Sequence, residues 1–456
     1  MTERLTLREI APGRQQDIRP DGLMREDPRL RLTLREAAPG RLPSIDPYGI
    51  IFEWVGRLLR AWAGESARMM RRVLASPALP GLFDAGLVRF HEANVELEGY
   101  DLVLEVDRIP FISYPSEWPA AMVRQAGLTV ARLAHDLAAS GCGLVDAHLF
   151  NIVFDGSRAV FVDVGSVWEH PNTSAPWVEE FRMFNLVPLA LRRARLHGLA
   201  ETVQGVDSGW LLSLLGRRGL RWLPPDYAVM TRRRSDQVKY LADLEQYMAR
   251  IPALGFARRG HDEQAPDRDL SPEKQRVAEG ILAGIGPGSV MDVGTGHGWL
   301  ALAAARRGNR VVATDLDELA LGQLFLRAAA EQLPVLPLRI DVMRPAGSWG
   351  VNLDCRPAPD RLAVDTVFAL SMLHHLAATQ RVTFDLFAGA VNLFARRRAV
   401  VEFVPRDDPT VADGPLAALS WYTMENFVDA MAPFFRLVEA VPAAAQRTIL
   451  VFERTV

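Results

Sequence analysis

The segment VMDVGTGHGWLALAAARRG, residues 290–308, constrains this chain more than any other. It reads as a buried strand, a glycine-rich turn and a helix in direct succession, the opening of a doubly wound α/β unit. Gly294, Gly296 and Gly298 alternate through the turn, where the missing side chain lets backbone approach a ligand and take torsions that other residues resist. Asp292 ends the strand. A carboxylate facing that turn would repel a pyrophosphate but would accept from an ammonium group, so a cationic amino-acid ligand is favoured over a dinucleotide.

Beyond this point strand and helix patterns alternate as a parallel sheet with crossover helices requires. The candidate strands are residues 289–293, 310–314, 336–340, 366–370 and 399–404. Two further strands, FFRLVEAV and RTILVFE, are joined by a link too short for a crossover helix, which predicts a terminal antiparallel hairpin. Asp315, 23 residues after Asp292 and followed by Leu316, is placed to receive ribose hydroxyls. Asp341 suits an adenine amino group, with the backbone N–H of Val342 beside it. The fourth strand brings Ser371, His374 and His375 to the same carboxyl edge, while Thr295 and His297 lie in the turn itself. If these aspartates only capped helices, the glycine alternation would go unexplained. The set selects S-adenosylmethionine as the cofactor over an NAD-type nucleotide.

On these residues the C-terminal part resembles the class I S-adenosylmethionine-dependent methyltransferases. DVGTGHG is similar to their first motif, ATDLD to their ribose-binding strand end, RIDVM to their adenine-contacting segment and FALSMLHHL to their fourth motif. SYPSEW, DAHLFNIVF, AVFVDVGS and VVEFVPRDDP extend a narrower resemblance, to a group of bacterial methyltransferases related to the nodulation protein NoeA, over most of the chain. The sequence departs from that group at Asp354-Cys355-Arg356, where a Glu-Arg pair is expected.

A chain of 456 residues predicts at least two domains. Residues 4–14 recur almost unchanged at 31–41, so residues 1–44 read as a poorly ordered extension with a short duplication. Residues 45–256 read as an α+β substrate-binding or auxiliary domain, with a helix over residues 120–139, a hairpin at Asp155-Gly156-Ser157 and mostly helical pattern over 177–250. The polar stretch 257–274 reads as a linker and 275–456 as the Rossmann-like domain. Net charge of −3 argues against nucleic acid as a partner, no apolar run is long enough for a membrane span, and the amino terminus lacks a signal-peptide pattern, so a cytoplasmic protein is expected. Cys142 and Cys355 have no metal-ligand spacing, and no metal site is expected.

Asp146 and Asn151, with Asp163-Val164-Gly165 after the hairpin, match the spacing of a kinase catalytic loop and its metal-binding aspartate. An active kinase needs a lysine in its N-terminal lobe, yet Lys239 and Lys274 are the only lysines, and Arg57 or Arg60 is a poor substitute. A degenerate kinase-like lobe is the better reading, with a bifunctional kinase-methyltransferase as the alternative.

Methyl transfer needs in-line alignment and, for many acceptors, removal of a proton. His374 and His375 are the candidate catalytic bases. Glu402 could orient an amine or hydroxyl acceptor, and Tyr114, Trp118, Trp299, Trp349, Trp421 and Tyr422 could wall an apolar acceptor site. A small-molecule acceptor from secondary-metabolite or glycan-related biosynthesis is expected. The same cofactor site would also support intramolecular ring closure by sulfonium displacement, and oligomeric state is not legible.

Overall fold

The computed structural model describes residues 30–37, 41–42, 49–168, 180–193, 213, 216, 237–254, 271–350, 353, 355–444 and 446–455. They divide into two units, one within Met1–Ala67 and His91–Glu105, the other within Arg68–Phe90 and Val106–Val456.

The first unit is built on a five-stranded sheet in the order Arg41–Leu42, Gly49–Trp54, Arg57–Trp62, Leu102–Val106, Phe90–Glu92. Val55 and Gly56 both take positive φ, 48° and 74°, the two-residue geometry that joins twisted antiparallel strands. Arg57 pairs with Glu105 at 2.6 Å, and the Arg60 guanidinium lies 4.9 Å from the Trp62 ring. Both arginines weighed as stand-ins for a kinase lysine are thus engaged within their own sheet. The second copy of the duplication departs from the expected loose extension: Leu30–Leu32 pairs in parallel with Val95–Leu97, and Leu34–Ala37 forms a helical turn. The Thr33 and Glu36 side chains cap that turn reciprocally, and Leu32 and Ala37 are buried. The first copy lies outside the described residues.

In the second unit the helix Ala120–Ala139 follows Pro119, with alanines, leucines and valines buried along most of its length. It packs against the helix Gln237–Arg250, and Arg124 donates to the carbonyls of Ile251 (2.5 Å) and Ala249 (2.7 Å) at that helix's C-terminal end, where a cation is favoured. The hairpin Ile152–Asp155 and Arg158–Phe161 turns at Gly156 (φ +60°). Of the helical pattern expected over 177–250, residues 182–193 and 237–250 are helical, and most of the remainder lies outside the described residues.

The C-terminal sheet has seven strands, β1 (Ser289–Val293), β2 (Arg310–Asp315), β3 (Val335–Arg339), β4 (Val364–Ala369), β5 (Ala395–Phe403), β6 (Phe435–Pro442) and β7 (Thr448–Arg454). Their order is β3-β2-β1-β4-β5-β7-β6, with β7 antiparallel to both neighbours. Around it lie α1 (Pro272–Ile285), α2 (Trp299–Arg306), α3 (Glu318–Ala330), α4 (Ala358–Leu362), α5 (Leu373–Gln380), α6 (Phe384–Phe394) and α7 (Met424–Met431). β1, β2 and β4 are largely buried on both faces, as strands covered on both sides are, whereas β6 is largely exposed at the edge. From β1 the chain winds out to β3, then returns to β4 on β1's other side. That reversal opens a crevice at the carboxyl ends of β1 and β4. The terminal hairpin forms as its short link requires. α1 begins at Pro272, inside the stretch expected to be linker, with the Ser271 hydroxyl accepting from Lys274 N–H (3.1 Å).

Arg361 of α4 fastens this sheet to the loop before the helix Ala120–Ala139. It donates to Glu117 (2.5 and 3.1 Å) and to the Ile112 carbonyl (2.5 Å), and stacks 4.0 Å from the Tyr114 ring. Both charges are buried, so losing one strands the other. Glu117→Ala should therefore lower unfolding free energy by about 3–5 kcal/mol, read by urea denaturation; a loss below about 1 kcal/mol would show the pair to be incidental.

Candidate functional site

A cavity of about 460 Å³ lies at the crevice, a volume suited to a nucleoside-sized ligand. Asp292, Gly294, Thr295, Gly296 and His297 line it from β1 and the turn. Asp315 and Leu316 line it from β2, Asp341 and Val342 from the end of β3, and Ser371 and His375 from the end of β4. Gly298 and His374 are absent from the lining.

The turn's glycines do different work. At Gly296 (φ +51°) an added Cβ would meet nothing within 4 Å, so its surroundings are open cavity. At Gly298 (φ +75°) a Cβ would collide with Leu324, so this glycine lets the start of α2 pack on α3. Gly294 is covered by Met372. The loop is fixed by Gly294 and Thr295 N–H bonds to the Thr314 carbonyl, 2.8 and 3.0 Å, which tie it to β2.

The three aspartates are individually held. Asp315 accepts from the N–H groups of Gly296 (2.8 Å), Leu316 (2.7 Å) and Asp317 (2.9 Å), and Asp341 from Met343 N–H (2.9 Å) and Arg344 (3.2 Å). Asp292 is the exception. It is buried and accepts one side-chain bond, from Thr295 Oγ1 at 2.7 Å. Burial raises its pKa from 3.8 to about 6, with the charge of Asp315 adding to the rise against the bond from Thr295. A carboxylate in that state is electrostatically poised for a cation.

Sequence reasoning missed the cavity's own cation. Lys274, on the first turn of α1, lines the pocket and pairs with Glu402 of β5 at 2.7 Å, both groups buried. Its Nζ also donates to Ser371 Oγ. Glu402 accepts from Ser371 N–H (2.7 Å), holding this non-glycine residue at φ +55°, a conformation with a steric cost. Arg447, before β7, lies 3.7 Å from Glu402 and 2.9 Å from Asp408, making a buried four-group network of zero net charge. Bonds from Arg447 and Thr410 outweigh the burial of Asp408 and hold its pKa down to about 2. Glu402 is thus committed to internal partners and does not reach toward an acceptor as anticipated. Its neighbour Tyr422 is buried with its hydroxyl unpaired among the described residues, and burial, with Glu402's charge, raises its pKa. One signal was legible: Lys274 is one of two lysines in a chain whose positive charge is otherwise arginine.

The two adjacent histidines part company. His375 is exposed and lines the pocket, as does Gln380, whereas His374 is 2% exposed, with its ring centroid 4.0 Å from that of His375. Of the six aromatics, Trp299 alone lines the pocket. Trp118 is fully buried and donates to Ser113 Oγ at 2.9 Å, Tyr114 packs edge-on against Trp349 at 5.0 Å, and Trp421 and Tyr422 join a cluster with Phe384, Phe403 and Phe427. Those five serve core and loop packing.

The linkage sign at Asp292 is set by a folded pKa above the unfolded one. Native protein binds the proton more tightly, so apo stability falls as pH rises from 3.8 towards 6 and stays reduced above it. Asp292→Asn should stabilise the ligand-free protein at pH 7.5 by about 1–3 kcal/mol, taking about 1.4 kcal/mol per tenfold in proton affinity, with little effect near pH 3.5. Urea denaturation at the two pH values checks this, and destabilisation at pH 7.5 would refute it.

Residues 291–385 match a family model described as a methyltransferase domain. Over an alignment 458 positions long that covers 89% of this chain and 94% of the relative, the sequence is 28% identical to the nodulation protein NoeA of Rhizobium meliloti. Among solved structures, it is similar to the magnesium protoporphyrin IX methyltransferase ChlM of Synechocystis with bound SAH, at 17% identity over 40% of this chain and 83% of that one, TM-score 0.31. It is also similar to the N-methyltransferase NodS of Bradyrhizobium japonicum, at 13% identity over 41% of this chain and 99% of that one, TM-score 0.31. The matched span runs from β1 into α6 and holds most of the residues lining the cavity, so residues 291–385 form a methyltransferase domain.

Proposed function

We propose that this protein transfers the methyl group of S-adenosylmethionine to a small-molecule acceptor that enters beside His375. The observation that carries this reading is the charge layout of the cavity, with Asp292 and Lys274 on one lining and Asp315 and Asp341 at the neighbouring strand ends. Lys274 and Asp292 complement the carboxylate and ammonium of an amino-acid ligand, Asp315 complements ribose hydroxyls, and Asp341 with Val342 N–H complements adenine. The residues fit the cofactor, which when bound supplies an electrophilic methyl carbon on a sulfonium.

The chain's own work is alignment and proton removal. Ser371, held by Glu402, shapes the wall beyond β4, and His375 at the exposed rim takes the proton from an acceptor hydroxyl or amine. His374, enclosed beneath it, supports the rim. A cavity of this volume leaves limited room once a nucleoside ligand is seated, which favours an acceptor presented at the opening. We place the acceptor in secondary-metabolite or glycan-related biosynthesis on the strength of the sequence resemblance that spans both halves of the chain.

Calorimetry with S-adenosylmethionine should give one site per chain, and Lys274→Met should weaken it at least tenfold. Transfer of labelled methyl to a panel of phenols, amines and sugar alcohols then identifies the acceptor. With it, His375→Ala should lower kcat by about 10²–10⁴. Failure to bind S-adenosylmethionine would defeat the whole reading; an unchanged kcat in His375→Ala would defeat only the assignment of the base.

A further inference from the structure

Far along the chain from the cofactor cavity, the loop after the helix Ala120–Ala139 collects groups that the methyltransferase reading does not use. Asp146, His148 and Glu180 each offer one ligand atom, and these atoms all lie within 4.8 Å of one another. All three are partly buried. Among the described residues no lysine or arginine forms an ion pair with either carboxylate, so two negative charges share the spot with only an imidazole between them. His148 Nδ1 is shielded from solvent with no hydrogen-bond partner, and so is Asn151 Nδ2 three residues on. Buried polar atoms of this kind are ordinarily satisfied.

The loop is also held in place. Ala147 N–H donates to Glu180 (2.9 Å), Asp146 N–H to Ser166 Oγ (2.8 Å), and the fully buried Asn185 to the Ala147 carbonyl (3.0 Å). The His148 ring packs 5.5 Å from Phe184 and 6.1 Å from Phe150, which fixes its plane. Such support is what a ligand set needs to keep its geometry.

We propose that Asp146, His148 and Glu180 bind one divalent transition-metal ion. One imidazole with two carboxylates suits zinc or manganese better than calcium or magnesium, which prefer all-oxygen shells. An ion about 2.1 Å from each ligand atom would draw atoms now within 4.8 Å of one another closer together. Three protein ligands leave at least one coordination position for water. The absence of Cys/His spacing made the site invisible in sequence, because Glu180 comes from a separate segment 32 residues beyond His148.

The test uses full-length protein stripped with a chelator. Titration with zinc chloride and with manganese chloride, the latter also followed by electron paramagnetic resonance, should show one ion per chain for at least one metal at micromolar or tighter affinity. His148→Ala and Asp146→Asn should each weaken binding at least tenfold while leaving S-adenosylmethionine affinity intact, which certifies the fold. Glu180→Gln gives an independent readout: without metal its melting temperature should equal or exceed that of the parent, since a repulsion is relieved, but its metal-induced rise should vanish. No stoichiometric binding of either metal, or binding undiminished in both His148→Ala and Asp146→Asn, would overturn the proposal.

Discussion

The buried pair between Lys274 and Glu402 is the interaction on which the site's architecture depends. It joins the first turn of α1 to the end of β5 and passes through Ser371 at the end of β4. Three elements that flank the crevice are thereby fixed by one charge contact. Removing either partner would leave an uncompensated charge in a dry interior, a larger cost than any single apolar contact there. Arg447 and Asp408 complete the set, so this network holds two positive and two negative groups and no net charge. β7 is what brings Arg447 to it, which gives the terminal hairpin a purpose beyond closing the sheet edge.

The same arrangement explains how a strained residue survives at the ligand edge. Ser371 sits in the left-handed region, which costs a non-glycine residue about 1–3 kcal/mol. Its N–H and hydroxyl both meet Glu402, and bonds to a charged acceptor are stronger than neutral ones. The strained torsion turns the chain sharply from β4 into α5, where helix geometry points the consecutive histidines about 100° apart. His374 enters the core and His375 the rim.

Much of the C-terminal fold was legible because its signals are local. The apolar strands, the glycine turn and the aspartates at strand ends are each written within a few residues, and parallel pairing with right-handed crossovers leaves few ways to assemble them. What was not legible depended on contacts between distant segments. Lys274 sat in a polar stretch that composition assigned to a linker, although Ser271-Pro272 is an ordinary helix start. Glu402 had the right position but the wrong partners, since nothing near it in sequence reveals Lys274 or Arg447. The aromatic residues misled for a related reason: an indole or phenol pattern does not say which face it will cover, and Trp118 and Tyr422 went into the core. In the first half, residues 30–37 looked like a loose repeat because three residues of strand and one helical turn carry too little periodicity to register.

Within one cavity the chain handles two buried charges in opposite ways. Lys274 is matched by a carboxylate that is itself matched, so its burial is compensated before any ligand arrives. Asp292 has its proton affinity raised by burial and by the charge of Asp315, more than the bonds from Thr295 and the Ala301 N–H and the charge of Lys274 offset. A residue kept in an unfavourable electrostatic state carries an energy that a cationic ligand can release on binding. Both groups line the cavity, Lys274 with its charge paired and Asp292 with its proton affinity raised by burial.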